Sequence, residues 1–213
     1  MIIFLMFLVL AGSILFHLFS PWWWTPIASN WGGIDSIIEL TFAMTGFVFA
    51  AVIGFMIYCL YKFKKVPGRR GEYEPKNKKT EFTLTLLTTI GVIALLAPGL
   101  LVWDEYVSPP DDVMPVEVMA QQWFWSFEHE DGTKEVGELH LKKDHAYKFE
   151  IRSIDVNHNF NIPEYVVLLD AVPGRVNTVW FSPTEAGEFD IQCREYCGLI
   201  HYNMRAKLIV EDV

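Results

Sequence analysis

Two periodicities divide the chain. Up to Trp103 apolar residues run almost without interruption over residues 2–19, 37–61 and 82–103. These runs are about 18, 25 and 22 residues long, against the roughly 20 that a helix needs to cross the hydrocarbon of a bilayer. After Asp112 the period changes from helical to alternating, which is the signature of half-buried strands. Short β-rich stretches follow at 113–120, 122–128, 136–141, 147–154, 165–169, 176–182, 189–193 and 205–210, separated by turn signals such as Asp131-Gly132, Pro173-Gly174 and Ala186-Gly187. The expected organisation is a membrane part over residues 1–104, a linker over 105–112 carrying Pro109-Pro110, and a β domain over 113–213. About eight strands without an intervening long helix point to a Greek-key β-sandwich or barrel.

Charge orients the membrane part. Residues 1–61 hold no Lys or Arg, whereas the polar segment from Lys62 to Thr80 carries Lys62, Lys64, Lys65, Arg69, Arg70, Lys76, Lys78 and Lys79. The positive-inside tendency makes that loop cytoplasmic, so the second and third runs form a hairpin with the β domain outside. The first run lacks the basic flank of a secretory signal and is expected to be a retained third helix. The Pro21-Trp22-Trp23-Trp24-Thr25-Pro26 cluster and Trp31 read as an aromatic belt at the outer interface.

From residue 104 onward there are 21 Asp and Glu against 9 Lys and Arg. Such a surface repels nucleic-acid phosphates and favours a basic partner. Three cysteines are too few for a disulfide scaffold. Cys59, inside the second apolar run, reads as a small buried apolar residue. The other two belong to a denser pattern.

Residues 193–204 read Cys193-Arg-Glu195-Tyr-Cys197-Gly-Leu-Ile-His201-Tyr-Asn-Met204, so two thiols, an imidazole and a thioether fall on one inter-strand loop. Magnesium and calcium prefer oxygen, and this soft donor set points to copper. A second Cys beyond what a single-copper site requires suggests two metals sharing sulfurs. His158, in Asp155-Val-Asn-His158, is the candidate for a further nitrogen. A disulfide would explain neither His201 nor Met204, and a zinc site would leave Met204 without a role.

Cys-x-Glu-x-Cys-x3-His-x2-Met preceded by Asp-Val-x-His resembles the dinuclear copper A motif of subunit II of heme-copper oxidases. The resemblance extends to the helical hairpin, Gln122-Trp123-Phe124-Trp125 and Leu169-Asp170-Ala171-Val172-Pro173-Gly174-Arg175. It implies a cupredoxin-like outer domain in which Cys193 and Cys197 bridge both coppers. His158 and Met204 would complete one copper, and His201 with the Glu195 carbonyl the other. The Glu195 carboxylate would ligate a magnesium at the interface with subunit I. It further implies Trp123 as the point of electron uptake from a basic cytochrome c, and transfer to heme in subunit I, where oxygen is reduced to water. Asp155 is a candidate docking acid.

In the resembled oxidases a glutamate at the position of Glu81 marks the mouth of a proton path. The sequence departs there, however: Leu84-Thr85-Leu86-Leu87-Thr88-Thr89 replaces the usual Trp-Thr-x-x-Pro, and Pro98 comes much later. The alternative acceptor is nitric oxide, in a copper A-containing nitric oxide reductase. An alternative of another class is a tethered copper carrier.

Overall fold

The computed structural model describes residues 1–20, 26–71 and 76–212. The belt expected at Trp22, Trp23 and Trp24 lies outside the described residues. The chain divides into a helical unit, Met1–Trp24 with Ser36–Leu100, and a β unit, Thr25–Asp35 with Leu101–Val213.

Three helices are long and apolar enough to cross a membrane: α1 (Ile2–Phe19), α2 (Gly32–Lys62) and α3 (Lys78–Val107). α2 begins five residues before the apolar run, with Asp35 in its first turn, where the positive end of the helix dipole favours an acid. α3 is opened by Asn77, whose side chain accepts the Thr80 N–H at 3.2 Å. It continues to Val107, through residues expected to begin the linker, and takes Pro98 into its interior.

The β unit is a sandwich of two five-stranded sheets. One is ordered β3-β2-β1-β5-β8, the other β4-β10-β9-β6-β7. The strands are β1 (Met114–Gln121), β2 (Phe124–His129), β3 (Lys134–Val136), β4 (Glu138–Lys142), β5 (Tyr147–Ser153), β6 (His158–Ile162), β7 (Val167–Ala171), β8 (Asn177–Phe181), β9 (Gly187–Cys193) and β10 (Arg205–Glu211). β1 pairs in parallel with β5 and β10 with β4; the remaining pairs are antiparallel. The alternation seen in the sequence becomes the inner faces: Val116, Val118 and Ala120 on β1, Tyr147, Phe149 and Ile151 on β5, and Ala206, Leu208 and Val210 on β10 are all buried. Burying an aliphatic or Phe side chain of this kind stabilises by roughly 1.5–3 kcal/mol.

Two features differ from the expected strands. The single stretch 136–141 is divided at Gly137, whose φ of +77° suits a residue without a side chain; it sends β3 and β4 into different sheets. β6, which was not expected, is buried along its whole length.

Trp31 does not belong to an exposed belt. It is 1% exposed and sits in the sandwich core, its indole N–H donating to the Trp180 carbonyl at 3.1 Å and its ring centroid 4.7 Å from Tyr106. The segment before α2 is bound to the same unit by the Ala28 N–H to the Glu164 carbonyl, 2.7 Å, and by a bridge between Ser29 and Pro183.

Candidate metal centre

Cys193 ends β9 with its side chain turned inward, and Met204 immediately precedes β10, the antiparallel neighbour of β9. The Cys193 N–H donates to the Met204 carbonyl at 3.2 Å, so the ladder closes the loop that separates them. A 3-10 turn over His201–Asn203 folds that loop back. β6 pairs with β9 at Phe160↔Cys193. That register carries His158, two residues earlier on the same face, past the end of β9 and over the loop.

The donor atoms converge. Cys193 Sγ lies 3.8 Å from Cys197 Sγ and 3.8 Å from His158 Nδ1. Met204 Sδ lies 3.1 Å from His158 Nδ1 and 3.7 Å from Cys197 Sγ. His201 Nδ1 is 3.5 Å from Cys197 Sγ, and the Glu195 carbonyl 3.3 Å from Cys193 Sγ. The cysteines are free, not a disulfide. His158, Cys193 and Cys197 have their ligand atoms within 4.8 Å of one another, and Met204 is buried beside them.

Protonation also fits a metal. Burial works against a charge on Cys193, but hydrogen bonds from His158, the backbone and His201 prevail and bring its pKa down to about 6. Burial and the neighbouring charge of Cys193 push Cys197 up to about 12. Burial therefore resists a second charge on the paired sulfurs, and a bound metal ion would offset that charge. Burial opposes the charge of His158 as well, yet its bonds to Cys193 and Asp155 raise its pKa on balance. Soft sulfurs and imidazoles gathered in a buried pocket suit copper, and the two thiols are spaced so that both could serve one pair of ions.

The surrounding residues support this cluster. Asp155 accepts the His158 Nε2–H at 2.8 Å. Partial burial opposes its charge, but the N–H groups of Gln122 and His158 hold its carboxyl below the usual range. The Gln122 side chain donates to the Cys197 carbonyl at 2.7 Å, and the Trp123 indole lies against Gly198 of the same loop. The Glu195 carboxylate is exposed. Glu81 lies in the first turn of α3 and Cys59 within α2, both in the helical unit. His129, His140 and His145 line an open groove of about 560 Å³ at the other end of β1. Sequence reasoning did not anticipate Gln122 or Gly198, nor the bond from Asp155 to His158; the Asp-Val-Asn-His spacing was the available signal for the last.

The family model of cytochrome C oxidase subunit II, periplasmic domain, matches residues 135–213. Over 97% of its length the chain is 45% identical to the alternative cytochrome c oxidase subunit 2 of Bradyrhizobium diazoefficiens, covering 86% of that protein. The chain belongs to the cytochrome c oxidase subunit II family. It is also 30% identical, over 81% of its length and 82% of the relative's, to the heme-copper oxidase subunit 2 of Aeropyrum pernix. Among solved structures, the periplasmic domain of subunit II of cytochrome oxidase from Bradyrhizobium japonicum is 25% identical over 49% of this chain and 88% of that one, with a TM-score of 0.47. A subunit II is part of a terminal oxidase complex, in which its role is electron transfer. Membership implies a copper A site, with which the His-Cys-Cys cluster agrees, and a membrane protein with an extracytoplasmic domain.

Proposed function

We propose that this chain is the electron-uptake subunit of a respiratory oxidase, receiving electrons from a basic cytochrome c and delivering them to heme in subunit I, where oxygen is reduced to water. The observation that carries the reading is the meeting of Cys193, Cys197, His158, His201 and Met204 around one buried point, with the Glu195 carbonyl beside them. Cys193 and Cys197 would bridge two coppers, with His158 and Met204 on one and His201 and the Glu195 carbonyl on the other. When bound, the copper pair supplies a one-electron store whose charge is shared between the ions.

The rest is the work of this chain's residues. The paired ends of β9 and β10 hold Cys193 and Met204 in place whatever the charge of the site, so reorganisation during transfer is small. Asp155 fixes the ring of His158, and Gln122 fixes the Cys197 carbonyl. Trp123, against Gly198, is the side chain through which an electron reaches the loop. The acidic surface steers a basic donor towards the domain. Glu195 would hold a magnesium at the interface with subunit I, and Glu81 would stand at a proton path on the cytoplasmic side.

Electron paramagnetic resonance of the copper-loaded full chain tests the reading. A signal from one electron shared by two coppers is expected, and Cys197→Ser should abolish it. A single-copper or zinc product, or an unaltered signal in the Cys197 variant, rejects it. Oxygen consumption without nitric oxide turnover by the purified complex checks the acceptor.

A further inference from the structure

The segment between α2 and α3 concentrates the cations of the chain. Lys62, Lys64, Lys65, Arg69, Arg70, Lys76, Lys78 and Lys79 fall within residues 62–80, and all are exposed. Among the described residues none of the eight has a carboxylate within 4.0 Å, whereas Lys134, Lys148, Arg152 and Lys207 of the β unit each have one. Positive charge of this density, unpaired within the chain, suits an anionic surface.

The local structure gathers that charge. Val66-Pro67-Gly68-Arg69 is a turn closed by the Arg69 N–H on the Val66 carbonyl at 3.2 Å, with Gly68 at φ +81° as a type II turn requires. The pairs Lys64-Lys65 and Arg69-Arg70 therefore flank one reversal of the chain. Apolar side chains lie open between them: Tyr61 is 71% exposed, Phe63 63% and Val66 45%. Lys62 Nζ stands 5.1 Å from the Tyr58 ring centre, and Lys64 Nζ 5.8 Å from that of Tyr61. Rings alternating with cations gain nothing by projecting into water. At a bilayer surface the rings enter the headgroup layer while the charges meet phosphates. The depth is right, because the apolar run of α2 ends at Tyr61 and Lys62 is the first charge beyond it.

We propose that residues 61–70 form a binding surface for anionic phospholipids of the cytoplasmic leaflet. Lys64, Lys65, Arg69 and Arg70 meet the headgroup phosphates, and Tyr61, Phe63 and Val66 enter the layer between them. Charge complementarity selects this occupant: a zwitterionic headgroup brings its own cation, whereas an anionic one leaves its phosphate charge to be matched. The surface needs no metal, so it stands or falls separately from the copper reading.

The test places the full chain in nanodiscs and compares spin-labelled phosphatidylglycerol with spin-labelled phosphatidylcholine by electron paramagnetic resonance. At low salt the phosphatidylglycerol label should be held more strongly beside the protein, and high salt should remove the preference. Combining Lys64→Gln, Lys65→Gln, Arg69→Gln and Arg70→Gln should bring the two labels to parity. Combining Lys134→Gln, Lys142→Gln, Arg205→Gln and Lys207→Gln, an equal loss of charge from exposed positions of the β unit, should leave the preference intact. Circular dichroism checks that both variants stay folded. Hydrogen exchange needs no variant: the amides of residues 61–70 in the wild type should be protected in discs containing phosphatidylglycerol relative to discs of phosphatidylcholine alone. Inorganic phosphate should displace the label no more than chloride at equal ionic strength. Parity of the labels in the wild type, an equal loss in the β-unit variant, or equal protection in both discs would overturn the proposal. Selective displacement by phosphate would overturn it in favour of a discrete anion site. Protection of these amides in the purified complex without anionic lipid would assign the surface to another subunit instead.

Discussion

Trp123 and Gly198 are fitted to each other: a β-carbon on Gly198 would stand 3.2 Å from Cζ2 and 3.3 Å from Nε1 of the indole, and 3.0 Å from the Gln122 amide nitrogen. The backbone there has φ +124°, a conformation that L side chains rarely adopt. Gly198 thus lets the segment bearing Trp123 lie directly on the loop that carries the sulfur donors.

Gly198→Ala should therefore act on both stability and electron uptake. Holding a non-glycine residue in that conformation costs about 1–3 kcal/mol, and the Trp123 ring has to withdraw. Denaturant unfolding should show that loss. Stopped-flow reduction by cytochrome c should slow while copper content stays at the wild-type value. A variant with wild-type unfolding and rate would show that the contact is not needed.

Trp31 gives a prediction about the boundary of the β unit. Its ring packs at 4.9 Å from Trp180 and its N–H is bonded to the Trp180 carbonyl. Trp31→Ala should destabilise the sandwich by about 3–5 kcal/mol. Trp31→Phe keeps most of the packing but leaves a buried carbonyl without its donor, at about 1–3 kcal/mol. Thermal unfolding followed by near-ultraviolet dichroism separates the three proteins; identical melting would return Trp31 to the membrane interface.

The contrast between Trp31 and the strands shows what a sequence discloses. Alternation along β1, β5 and β10 is a local signal, and it locates those strands because one face of each is buried. The helices are legible for the related reason that lipid demands an unbroken apolar run. β6 breaks the pattern. In His158-Asn159-Phe160-Asn161-Ile162 every position is buried, and asparagines, depleted in strands, occupy two of them. The amides are accommodated by partners the local pattern does not reveal, Asn159 by Asp170 at 2.8 Å and Asn161 by the Val167 carbonyl at 2.7 Å. Trp31 fails for a plainer reason: its partner Trp180 is 149 residues away. The donor set was legible because four of its side chains share one short loop. Their supports, Gln122 and Gly198, were not, since the Gln122 side chain reaches a backbone carbonyl 75 residues away and Gly198 acts by lacking a side chain.

Tyr165 sets an expected alkaline limit. Its ring is fully buried between Phe181, at 4.8 Å, and Phe189, at 5.0 Å, and its hydroxyl has no hydrogen-bond partner among the described residues. Burial, reinforced by Glu185 and Glu164, raises its pKa above the unfolded value of about 10. The neutral phenol therefore favours the fold fully below about pH 10, and that contribution is lost as pH rises through the folded value. Tyr165→Phe should leave stability at pH 7 within about 1 kcal/mol of wild type, since no bond is lost. It should also reduce the fall in stability between about pH 10 and 12. Tyr147, also raised by burial, keeps part of that fall in the variant. Denaturant unfolding at the two ends of the range reads both effects, and an equal alkaline loss in the two proteins would refute the assignment.

Met204 separates tuning of the centre from its assembly. The side chain is 1% exposed, with Sδ facing both His158 and Cys197. Leu fills nearly the same volume, so Met204→Leu should cost less than about 1.5 kcal/mol in stability and leave β9 and β10 paired. What disappears is a thioether, a weak donor at the edge of a set whose stronger members, two thiolates and two imidazoles, remain. Copper analysis should still return two ions per chain. The reduction potential should move, because a withdrawn sulfur donor changes the relative stability of the two oxidation states. Reduction by cytochrome c should slow in step with the altered driving force. Loss of one copper on this substitution would instead make Met204 essential to assembly and remove the distinction between bridging sulfurs and a tuning ligand.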